Sequence, residues 1–77
     1  MTNKQYREEV LSSCSMKALD CKEAAAYASH AFDAGKEDDA KECVRRLEGL
    51  VTRLKSELSS LNYVNQKISE NGEDASA

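Results

Sequence analysis

The sequence predicts an all-α fold: an antiparallel helical hairpin of coiled-coil type, pairing into a four-helix bundle. Three observations carry this expectation. First, two apolar series flank the turn at Ala34-Gly35-Lys36, each stepping by alternating threes and fours. Second, the two series mirror each other. Leu11, Cys14, Ala18, Cys21, Ala25, Ala28 and Phe32 lead into the turn; Ala40, Val44, Leu47, Val51, Leu54, Leu58 and Leu61 lead out of it. Phe32 then faces Ala40, and Leu11 faces Leu61. Third, the chain has no proline and is rich in residues that favour long helices.

The elements follow in order. At 77 residues the chain holds one domain. Thr2-Asn3-Lys4-Gln5 fits a capping box, so the first helix is placed at about residues 3–34. Ser12-Ser13-Cys14-Ser15 is weak by helix propensity, and Asp20-Cys21-Lys22-Glu23 imitates a second capping box. The heptad passes both without losing phase, which favours one helix, kinked near Ser15, over two helices meeting near Asp20. Gly35 supplies the left-handed residue that closes a helix, in a turn over residues 34–36. Glu37, Asp38 and Asp39 then suit the positive end of a second helix dipole, over about residues 36–71. Gly72 ends that helix. The hairpin domain thus covers residues 1–71, and residues 72–77 read as a flexible acidic tail. Net charge is −3, and Glu70, Glu73 and Asp74 account for all of it, so the acidity is a property of this end.

Charges not used to find the register agree with it. With Leu11 and Val44 at heptad position a, the g row pairs Lys17 with Glu57, and the e row pairs Lys22 with Glu48. Exposed pairs of this kind add about 0.2–1 kcal/mol each, so they serve register more than stability. Size also matches, because the mostly Ala and Cys seam of the first helix faces mostly Leu and Val.

An apolar g-side row is then left over. It comprises Val10, Ala24, Ala31, Cys43, Leu50 and Val64, bordered by Tyr6 and Tyr27 on one helix and by Arg46 and Arg53 on the other. An apolar stripe edged by Tyr and Arg has the composition of a protein interface. Two helices leave nothing in the chain to cover it, so the expected partner is a second copy or another protein. On this reading Leu50→Asp or Val64→Asp breaks assembly while altering the hairpin seam less than Leu54→Asp does.

Other chemistry is sparse. His30 is the single histidine, at an outward position, and Cys14 and Cys21 lie a full heptad apart, so no metal site is expected. The glycines are isolated, which excludes a phosphate-cradling loop, and no acid–base pair stands out. No cofactor and no catalytic residue is therefore expected, and the chain reads as a non-enzyme. No apolar run reaches the length of a membrane span or a secretory signal, and three unpaired cysteines fit a reducing cytoplasm. The leading function is a protein–protein interaction module: a small adaptor, chaperone or inhibitor. The alternative is RNA or DNA binding by a dimer through Lys41, Arg45, Arg46, Arg53 and Lys55 on the second helix.

Ala28 and Phe32, then Gly35 and Ala40, resemble the hairpin of a tetratricopeptide repeat, over one repeat's length and with Thr52 where the terminal proline would stand. In architecture the chain is similar to the plasmid copy-control proteins of the Rop type, dimeric four-helix bundles that bind paired RNA loops. It also looks like the helical co-chaperones of type III secretion needle subunits. These resemblances imply a helical hairpin and carry no site residue over.

Overall fold

In the computed structural model, which describes residues 2–71, the chain forms two α-helices: α1 over Asn3–Asp33 and α2 over Glu37–Asn71. They pack side by side as an antiparallel hairpin. The expected tail at residues 72–77 lies outside the described residues.

Each helix end has a visible cause. At the start of α1 the Gln5 amide donates to Thr2 Oγ1 at 3.1 Å, and the Thr2 amide donates to Gln5 Oε1 at 2.9 Å. This reciprocal pair satisfies two amides that the first turn would otherwise leave without acceptors. No break occurs at Ser12–Ser15 or at Asp20; α1 is continuous. The half-buried stripe running through both segments outweighs their weak propensities.

Ala34 caps α1, and Gly35 adopts φ +72°. The Gly35 amide donates to the Phe32 carbonyl at 3.1 Å and the Lys36 amide to the Ala31 carbonyl at 2.9 Å. These two bonds form a Schellman closure, which requires a left-handed residue. A Cβ at Gly35 would meet no atom within 4 Å, so only the backbone resists substitution there. Gly35→Ala is expected to cost about 1 kcal/mol, read as a lower urea midpoint at unchanged slope.

The seam differs from the heptad expectation in rotation, not in register. Its fully buried residues are Val10, Ala24, Ala28, Ala40 and Val64, none larger than valine. Cys14, Cys21, Leu47, Leu54 and Leu61, all at position d, are half-buried. The a positions turn outward: Ala18 and Ala25 are exposed, as are Leu11, Phe32 and Leu58. Both helices have therefore rolled so that d and g face each other. Small g residues explain the roll, since Ala24 and Ala31 let the backbones come closer than Leu11 or Phe32 would.

The g-row ion pair is consistent with this roll. Lys17 Nζ lies 3.3 Å from Glu57 Oε1, both side chains being less than a third exposed, and it also donates to Ser13 Oγ at 2.9 Å. Toward the open end the apolar series runs out, and Arg7 Nε donates to Asn65 Oδ1 at 2.8 Å across the helices. The molecule is long and thin, 55 × 15 × 14 Å. Its radius of gyration is 17.1 Å, against about 11.5 Å for a compact chain of this length.

Candidate interaction surface

The roll of the helices redistributes the residues expected at an interface. Val10, Ala24 and Val64 are 4%, 4% and 1% exposed, because the opposite helix of the same chain covers them. This corrects the expectation that they form a stripe left bare by the hairpin. Ala31, Cys43 and Leu50 are half-buried along the same line. The bordering residues Tyr6, Tyr27, Arg46 and Arg53 remain exposed. Near the turn, Ala24, Ala31 and Cys43 leave an open cleft of about 580 Å3, with Tyr27 and Arg46 also among its lining residues. The g side is thus a filled seam with a notch at the turn end.

The free apolar surface lies on the other side. It consists of the a row, with Leu11, Ala18, Ala25 and Phe32 on α1 running antiparallel to Val44, Val51 and Leu58 on α2. Leu11, Phe32 and Leu58 are 38%, 56% and 45% exposed, and Val44 and Val51 are half-buried. From Leu11 to Phe32 the row extends about 32 Å along the helix. The half-buried d residues lie between the two a rows. Periodicity places all of these residues in the intrachain seam; the exposure of Leu11, Ala18, Ala25, Phe32 and Leu58 is what sequence reasoning missed. The available signal was that three adjacent rows, g, d and a, are all largely apolar. A helix meeting only one neighbour needs two.

The e row flanks this surface. Lys22 and Glu48, expected to pair across the hairpin, are exposed, and no ion pair joins them among the described residues. The same roll that brings Lys17 and Glu57 together spreads the e positions apart.

The basic stretch is not a single patch. Arg46 and Arg53 share position c, toward the g side, whereas Lys41 and Lys55 occupy position e, toward the a side. Arg45 projects between these rows and is held by Glu42, Nη1 to Oε2, at 2.9 Å. The five cations are thus spread around α2 instead of converging on one phosphate track.

Cys14, Cys21 and Cys43 are free thiols, half-buried in or beside the seam. Among the described residues no cluster of His, Cys, Asp and Glu has the makings of a metal site, and no helix is long and apolar enough to cross a membrane. The outer face carries further apolar residues: Met16, Leu19 and Tyr63 are exposed, with Lys67 Nζ 5.6 Å from the centre of the Tyr63 ring.

Fold and surface together define a helical hairpin with one face closed by its own seam and one apolar face open. Comparison with known proteins adds no relative: no family model, curated protein or solved structure matches the chain.

Proposed function

We propose that the protein is a non-enzymatic protein–protein interaction module that associates through its a-row face, with a second copy of itself as the occupant. The carrying observation is the exposure of Leu11, Phe32 and Leu58 along one row while the fully buried core holds nothing larger than valine. A core this small leaves the hairpin only marginally stable against the conformational entropy of ordering two long helices, so burying the a row against a second copy adds stability. Two hairpins joined by this face make an antiparallel four-helix bundle with the a and d rows at its centre.

Light scattering across a dilution series tests the proposal. The expected result is a mass near twice 8.5 kDa that persists into the low micromolar range. A mass of one chain at every concentration would refute self-association. Nucleic-acid binding gains no support from cations that point in different directions around α2.

A further inference from the structure

The geometry points to a specific pairing of the two copies. We infer that their two-fold axis runs parallel to the long axis of the hairpin, with both turns at the same end, and that Lys22 of each copy pairs with Glu48 of the other. This rests on the a-row association proposed above and adds its direction, register and polar contacts.

Charge is the first argument. Antiparallel helices of this kind are flanked by a g–g row on one side and an e–e row on the other. Within one chain the g row is engaged, since Lys17 meets Glu57 at 3.3 Å. The e row is the unused half of the same pattern, with Lys22 and Glu48 exposed and unjoined among the described residues. In a bundle with a lengthwise axis, α1 of one copy lies antiparallel to α2 of the other at the same level as its own α2. The e positions of the two chains then face each other, and Lys22 stands opposite Glu48 twice. The remaining e pairs set Glu8 against Asn62, Ser15 against Lys55 and Ser29 against Lys41, with no like charges opposed.

Size is the second argument. The lengthwise axis repeats between chains the match of small on large, with Ala18 and Ala25 of one copy against Leu54 and Leu47 of the other. An axis running across the hairpins instead sets α1 against α1 and α2 against α2. Ala and Cys then meet Ala and Cys, and Leu meets Leu, so one half of the core is hollow and the other crowded. In the crosswise arrangement that centres both helices, Lys22 faces Ser15 and Glu48 faces Lys55.

Charge reversal distinguishes these arrangements. Lys22→Glu and Glu48→Lys change exposed positions, and circular dichroism at 222 nm checks that each variant stays helical. At low salt, each variant alone is expected to dimerise at least roughly tenfold more weakly than the wild-type chain, because two attractive contacts become two repulsive ones. Mixing the two variants is expected to restore a tight dimer containing one of each, seen by native mass spectrometry. Pairing within a chain could not produce that rescue. Weakening by Glu48→Lys alone, without rescue on mixing, would place the axis across the hairpins and overturn the inference. A wild-type dimer indifferent to both changes would also overturn it, while leaving the a-row association standing. A wild-type monomer would remove both.

Discussion

Val64→Asp is expected to melt the hairpin. Val64 is 1% exposed, the largest side chain so fully covered, and it lies in the open-end half of α2, where the apolar seam gives way to Arg7 and Asn65. A carboxylate there loses its water, and the Lys17 ammonium of the same row is already paired with Glu57. An uncompensated buried charge costs about 3–5 kcal/mol. That is a large share of the 5–15 kcal/mol typical of whole domains, and this core is small. The expected reading is a collapse of the 222 nm signal at pH 7. Burial raises the folded-state pKa of the new carboxyl, so acidification through that pKa should return part of the signal. Leu50→Asp and Leu54→Asp, at half-buried positions, should cost less. Full helicity of Val64→Asp at pH 7 would show that the d–g seam is not the seam in solution.

That order reverses what the heptad alone implies, and the reason is physical. Periodicity identifies which rows of a helix are apolar. The turn, the capping box at Thr2 and Gln5, the single α1 and the level at which the helices face each other were all legible, because each depends on local chemistry or on spacing. Which two of three apolar rows meet is decided by side-chain size at close approach. Ala24 and Ala31 of the g row can sit at the contact; Leu11 and Phe32 of the a row cannot do so without pushing the helices apart. The Lys17–Glu57 and Lys22–Glu48 pairs looked equivalent by spacing. Only the roll of the helices separates them, one closed within the chain and one spread open. For the same reason Tyr6, Tyr27, Arg46 and Arg53, expected to edge an open interface, are exposed beside a stripe that the chain itself largely fills. The basic residues of α2 form a stretch along the sequence, whereas a helix distributes such a stretch over several of its rows.

Leu58→Asp is expected to do the opposite of Val64→Asp: to separate the copies while leaving the hairpin formed. Leu58 is 45% exposed within one chain, so the change there costs the hairpin about 1–2 kcal/mol in helix propensity and partial burial. In the proposed bundle the same side chain lies at the centre, facing Cys14 of the second copy, and the two-fold axis places two such carboxylates in the core. Truncating a central anchor costs 2 kcal/mol or more, and here the loss counts twice, so affinity should fall by about a thousandfold. The scattering mass should drop to 8.5 kDa. Folding and association are linked, and that linkage gives a second reading. If only the folded chain dimerises, the wild-type midpoint of thermal unfolding rises with protein concentration. For Leu58→Asp the midpoint should be lower and independent of concentration, with the helical signal retained below it. A variant that keeps a mass near twice 8.5 kDa would exclude the a row as the interface. The exposed residues of the opposite edge, Tyr27 and Arg46, would then be the place to look.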